Sequence, residues 1–172
     1  MKWTIIIILV FAVSFLGCTP APKPEPTQEQ APTPSFDEAM DSPKAYNGEW
    51  LTDFSKAQEL AKELNRPILV NFTGSDWCSW CIKLTNEVFS KEAFVSYATD
   101  SLVLLKLDFP RKIPQTPEVK AANEKLAKDF GVQGFPTIVL LDTNGKEINR
   151  TGYQPGGAEA YVKHLQDLLA GK

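Results

Sequence analysis

Apolar positions along the chain fall into three regimes. Residues 1–17 are almost wholly apolar after Lys2, residues 19–44 carry hardly any large apolar side chains, and from about Tyr46 apolar and charged positions recur with recognisable periods. In the third regime Thr52 or Asp53 can cap a helix on which Phe54, Ala57, Leu60, Ala61 and Leu64 keep helical spacing, and Pro67 ends it. Ile68–Phe72 reads as a buried strand, closed by Gly74-Ser75-Asp76. A second helix is expected from about Cys78, with Cys81, Leu84, Thr85 and Val88 on one face, a break near Ser90 and a short helix over Ala93–Tyr97. Leu102–Leu107 reads as a second strand, Phe109–Thr116 as a proline-bearing loop, and Glu118–Phe130 as a charged helix burying Val119, Ala122, Leu126 and Phe130. Thr137–Leu141 and Glu147–Tyr153 are expected to pair across a hairpin signalled by Asn144-Gly145, before a last helix carrying Ala160, Tyr161, His164, Leu165 and Leu168. Such alternation predicts an α/β fold, a central mixed sheet with helices on both faces.

Composition sharpens this division. The length of 172 residues leaves about 125 for a folded domain, enough for one core. Residues 19–44 hold seven of the thirteen prolines, so that stretch cannot bury enough apolar surface to fold and is expected to be an extended stalk or a plain spacer. A net charge of −3 with no basic run argues against nucleic acid as a partner. Three cysteines and one histidine are too few for a disulfide scaffold.

Lys2, the apolar run Ile5–Leu16 and Gly17-Cys18 follow the layout of an export signal. As a membrane span the run is short, since twelve residues rise only ~18 Å against a ~30 Å hydrocarbon core. Phe15-Leu16-Gly17-Cys18 resembles a bacterial lipoprotein processing box, although such boxes usually have leucine where Phe15 sits and a small residue where Leu16 sits. The resemblance implies lipidation of Cys18, which becomes the mature N-terminus and anchors the protein at a membrane, facing the periplasm or the cell exterior. Simple secretion after cleavage near Gly17 is the alternative. Thr19, in place of an acidic residue, implies outer-membrane sorting within that lipoprotein reading.

Cys78-Ser79-Trp80-Cys81 carries the candidate chemistry. Residues three apart on a helix are neighbours, so the two sulfurs can close into a disulfide with little backbone movement. Cys78, at the strand-to-helix junction, meets the unsatisfied N–H groups that stabilise a thiolate, whereas Cys81 falls on the apolar face with Leu84 and Val88. Cys78 is therefore expected to attack a disulfide and Cys81 to resolve the product. Two other readings of the pair remain at this point. One is a metal site, for which a lone CxxC supplies only two of the four ligands zinc usually takes. The other is an inert disulfide, whose short ring would add only modest stability. Trp77 is expected to pack beneath the loop, and Trp80 to offer an apolar platform to an incoming polypeptide.

The run Phe72–Cys81, then Gly131-Val132-Gln133-Gly134-Phe135-Pro136-Thr137, then Asp142–Gly145, resembles the thioredoxin superfamily across nearly all of residues 50–170. Thioredoxin-like lipoproteins and the periplasmic C-terminal domain of the transmembrane thiol-disulfide interchange reductase are the most similar members. The resemblance divides the chain into a signal (1–17), a lipidated cysteine with its linker (18–44) and a thioredoxin-like domain (45–172). It implies a cis-proline at Pro136 facing the cysteines, with the Phe135 backbone pairing with substrate, where the residues alone suggest an ordinary strand-opening proline. Asn71 stands where thioredoxins usually have a buried aspartate, so a water, Asp76 or Lys106 would have to take the resolving thiol's proton. The Phe109–Thr116 segment also looks longer than a compact thioredoxin needs.

The implied activity is thiol-disulfide oxidoreduction on exported proteins, with an unidentified thiol electron donor and no cofactor, because the electrons reside in the dithiol. A redox-inactive binding module and a Cu(I) chaperone are the alternatives. With nothing cationic inside the motif and Asp76 close by, a reducing potential is expected, nearer thioredoxin's ~−270 mV than a strong oxidant's ~−120 mV.

Overall fold

The computed structural model describes residues 46–171; the expected signal, Cys18 and the proline-rich linker lie outside the described residues. Chain order is β1 (Trp50–Leu51), α1 (Phe54–Leu64), β2 (Ile68–Thr73), α2 (Ser79–Leu84) running on into a π-helical stretch (Thr85–Phe89), α3 (Glu92–Ser101), β3 (Val103–Asp108), α4 (Pro117–Asp129), β4 (Thr137–Leu141), β5 (Glu147–Thr151) and α5 (Gly157–Leu169). The strands form one mixed sheet in the order β1-β3-β2-β4-β5. β1, β3 and β2 run parallel, β4 is antiparallel to β2, and β5 is antiparallel to β4.

β2 lies at the centre of the sheet, and every one of its residues is buried. Successive strand side chains point to opposite faces. Ile68, Val70 and Phe72 accordingly join Val103, Leu105, Leu107, Val139 and Leu141 in one core with Ala57 and Ala61 of α1. Leu69 joins Leu104, Ile138 and Leu140 on the other face, with Phe94 and Ala98 of α3 and Tyr161 and Leu165 of α5. The central mixed sheet covered by helices on both faces is thus the architecture expected from the alternation of elements.

Local chemistry explains the element ends. Asp53 caps α1, its carboxylate accepting the Ser55 and Lys56 amides at 2.8 and 3.1 Å. Asn65 closes that helix in the left-handed conformation, φ 50°, a geometry asparagine tolerates. The β4–β5 turn spans Asp142–Lys146, with Gly145 at φ 82° and the Asp142 carboxylate taking the Asn144 and Lys146 amides.

Three expectations need correction, and one strand was missed. β1 was not anticipated, since two residues carry no period; Trp50 and Leu51 are recruited by pairing with Leu104 and Leu105. The short helix over Ala93–Tyr97 extends to Glu92–Ser101, because Phe94 and Ala98, one turn apart, both insert into the core. α4 does not bury Val119 or Ala122, which are exposed; its inward stripe is Asn123, Leu126, Ala127 and Phe130. A buried asparagine heads that stripe, its amide donating to the Asp108 carbonyl at 3.0 Å, so hydrophobicity alone misplaced the face. β5 stops at Thr151, leaving Tyr153 free to reach Glu87 at 2.7 Å.

Candidate active site

At the C-terminal end of β2 the chain turns through Gly74–Trp77 into α2. The Cys78 amide bonds the Gly74 carbonyl at 2.9 Å, and Cys78 becomes the N-cap of α2. Its sulfur accepts the Cys81 N–H at 3.2 Å, one of the amide donors a helix start leaves unsatisfied. Cys78 and Cys81 are joined in a disulfide with Cα atoms 5.2 Å apart. Cys78 is 7% exposed and Cys81 2%, with Cys81 facing inward beside Leu84. An amide aimed at the Cys78 sulfur favours the thiolate over the thiol when the pair opens.

Trp77 and Trp80 diverge from this turn. Trp77 is half-buried, its indole N–H donating to the Phe109 carbonyl at 2.8 Å and its ring meeting Phe135 edge-on at 5.9 Å. Gly74 permits that packing, because a Cβ there would lie 2.5 Å from the indole. Trp80 is 56% exposed and leans on Tyr153 with ring centroids 5.1 Å apart. The Phe135–Pro136 peptide bond is cis, directly before β4.

Each indole also carries a cation, which sequence reasoning missed. The Lys83 ammonium lies 5.2 Å from the Trp80 ring and 5.0 Å from Tyr153, with the Glu87 carboxylate 3.8 Å away. Tyr153 and Glu87 together push the Lys83 pKa above its ordinary value. The Arg111 guanidinium sits 3.7 Å from the Trp77 ring. No local sequence signal marks Arg111, which comes from the overlong loop thirty residues after Cys81.

Asp76 explains how that loop is held. Its carboxylate accepts the backbone amides of Arg111 (3.0 Å), Lys112 (2.6 Å) and Ile113 (3.1 Å). Those bonds, Arg111's first, hold the Asp76 carboxyl below the usual range. The carboxylate expected to act as a base, or to raise the cysteine pKa, is thus committed to the loop. Ser75 is fixed in parallel, its amide and hydroxyl donating to the Asp108 carboxylate at 2.9 and 2.5 Å.

Asn71 is 4% exposed, and its side-chain oxygen has no hydrogen-bond partner. It borders a cavity of about 310 Å³ together with Lys106, Thr73, Ser75 and Thr85. Lys106 is its register partner on β3. Thr85 belongs to the turn after Cys81 and donates its hydroxyl to the Cys81 carbonyl at 3.0 Å. His164, the only histidine, instead bonds the Thr151 hydroxyl of β5 at 2.9 Å.

A mixed sheet whose central strand leads into a cysteine-capped helix, with a cis-proline directly before the neighbouring strand β4, defines a class of dithiol domains. The thioredoxin-like domain family matches residues 54–168, and the chain belongs to that family. It is 38% identical over 125 residues to the disulfide bond reductase DsbH of Chlamydia pneumoniae, covering 73% of this chain and 75% of that protein. It is 32% identical over 113 residues to the thiol:disulfide interchange protein DsbD of Cronobacter sakazakii, covering 64% of this chain but only 18% of that longer protein. The solved structure of a DsbH oxidoreductase superposes with a TM-score of 0.68 at 36% identity, over 72% of this chain and 85% of that one.

Proposed function

We propose that the protein is a thiol-disulfide oxidoreductase that works as a reductant of disulfides in exported polypeptides. The observation that carries this reading is the Cys78 sulfur at the α2 N-cap, receiving the Cys81 amide and paired with Cys81 in a disulfide. In the reduced protein, the Cys78 thiolate attacks one sulfur of a substrate disulfide and expels the other as a thiolate. Cys81 then gives up its proton and attacks the Cys78 sulfur, closing the disulfide and releasing the second substrate thiolate. Two electrons pass to the substrate, and a thiol donor returns them. Trp80 and the Phe135–Pro136 edge flank the pair and form the platform for the substrate chain.

The same reading takes residues 1–17 as an export signal and Cys18 as the lipidated N-terminus, with residues 18–44 as the tether and 45–172 as the catalytic domain. One acyl chain anchors only marginally, so stable attachment needs the several chains a lipoprotein carries. Mass spectrometry of the membrane fraction should find acylated Cys18 at the mature N-terminus; an unmodified Cys18 would remove the tether.

The activity is tested by insulin reduction with dithiothreitol as donor. The wild-type protein should accelerate precipitation of the insulin B chain, and Cys78→Ser should abolish the acceleration. No acceleration by the wild type, with tight binding of Cu(I) to the reduced protein, would favour a metal carrier instead; with neither, a binding module.

A further inference from the structure

We propose that Arg111, held over Trp77 by the Asp76 carboxylate, is a specificity-determining residue that selects disulfides flanked by acidic side chains. The proposal rests on the reductase reading and names its substrate class: polypeptides with Asp or Glu next to the target cystine.

Position supports the role. Trp77 immediately precedes Cys78, and its ring touches Phe135, the residue before the cis-proline. A guanidinium on that ring therefore stands at the edge of the surface where a substrate disulfide must approach Cys78. Charge supports it too. Of the two cations on the motif's indoles, Lys83 is paired with Glu87, whereas the Arg111 guanidinium is in no ion pair among the described residues. Arg111 is exposed, so a carboxylate can reach it. The carboxylates that flank the loop already hold other donors: Asp76 takes three backbone amides, Arg111's own among them, and Asp108 takes the Ser75 amide and hydroxyl. A planar guanidinium already stacked on an aromatic face keeps its in-plane donors available, so a carboxylate can be bound bidentately at little ordering cost.

The latch accounts for the loop's length. Phe109–Gln115 is anchored at one end by the Trp77 indole on the Phe109 carbonyl, in the middle by Asp76, and at the other end by the Gln115 side chain on the Asp108 carbonyl at 3.1 Å. Those ties turn a proline-bearing loop into a fixed shelf. Asp76 acts through Arg111 and is a positioning residue.

The test compares reduction of two small disulfides, dianionic 3,3′-dithiodipropionate and dicationic cystamine, by the pre-reduced protein. The readout is the ratio of their second-order rate constants at low ionic strength. Arg111→Glu should lower the anion-to-cation ratio by roughly tenfold, Arg111→Gln by a smaller factor, and 0.5 M salt should compress the difference. Lys146→Glu makes the same change in net charge in the β4–β5 turn, at the opposite end of β4 from Pro136, and should leave the ratio unchanged. Asp76→Ala separates latch from charge: deleting an anion should by itself raise the ratio, whereas freeing Arg111 should lower it. A fall supports the latch. A rise overturns it. An unchanged ratio in Arg111→Glu, or an equal fall in Lys146→Glu, overturns the selectivity while leaving the reductase reading intact. If the wild type reduces neither disulfide nor insulin, the reductase reading fails and this inference with it.

Discussion

Replacing Asn71 by aspartate tests the account at its least conventional point. The site is 4% exposed, and the side-chain oxygen already lacks a partner. A carboxylate there loses most of its hydration, which raises its pKa. The cavity and the register neighbour Lys106 relieve part of that cost. A rise of about 2–3 units, at 1.36 kcal/mol per unit, gives roughly 3–4 kcal/mol of lost stability when the group is ionised. The sign follows from linkage. Below the unfolded pKa of ~3.9 both states are protonated and the charge penalty is absent; it grows as pH rises through the folded pKa and is complete above it. Urea denaturation of the oxidised variant and wild type at several pH values should therefore show a small difference near pH 4 that widens to its full value by about pH 8. A difference that stays flat over that range would show that position 71 is effectively solvated. The same variant bears on turnover, because a carboxylate can take the Cys81 proton and an amide cannot. Release of substrate from the Cys78 mixed disulfide should quicken near neutral pH; an unchanged rate would mean that another acceptor serves Cys81.

Gly74→Ala should displace Trp77, since the new Cβ would lie 2.5–2.8 Å from three indole atoms. Overpacking plus the lost indole hydrogen bond should cost about 2–4 kcal/mol and change the near-UV circular dichroism; stability within about 0.5 kcal/mol of wild type would contradict the packing described. The redox potential should lie between about −270 and −180 mV, somewhat more oxidising than the motif alone implies, because Arg111 and Lys83 sit on its two indoles and Asp76 is turned to the loop. Equilibration in thiol–disulfide buffers measures it, and a value above about −170 mV would rule out a reductant.

Much of the fold was legible because the apolar periods are clean. α1 reads from its Asp53 cap to Leu64, and β2 and β4 read as apolar runs between turn residues. What failed was set by tertiary pairing. β1 is defined by its neighbour β3, and α4 turns a polar residue inward, where the Asn123 amide joins Gln115 in donating to the Asp108 carbonyl. In the site, spacing pointed to the Cys78–Cys81 disulfide while leaving other roles for the pair open, and the expected exposure of Trp80 against the packing of Trp77 is what the structure has. Arg111 was not, because its placement depends on Asp76 capturing backbone amides, and amides leave no trace in side-chain pattern. Asp76 itself was misjudged for the same reason. A carboxylate two residues from a cysteine suggests direct electrostatic influence, but its oxygens face the loop.

The central claim is that electrons leave through Cys78 and that Cys81 resolves the intermediate. The most direct measurement traps that intermediate: reduced Cys81→Ser protein is mixed with a disulfide-bonded substrate, quenched in acid and mapped by mass spectrometry. The account predicts a stable mixed disulfide through Cys78 that forms at close to the wild-type rate and persists, and none with Cys78→Ser. Substrate linked through Cys81 in the Cys78→Ser protein, at a comparable rate, would contradict it.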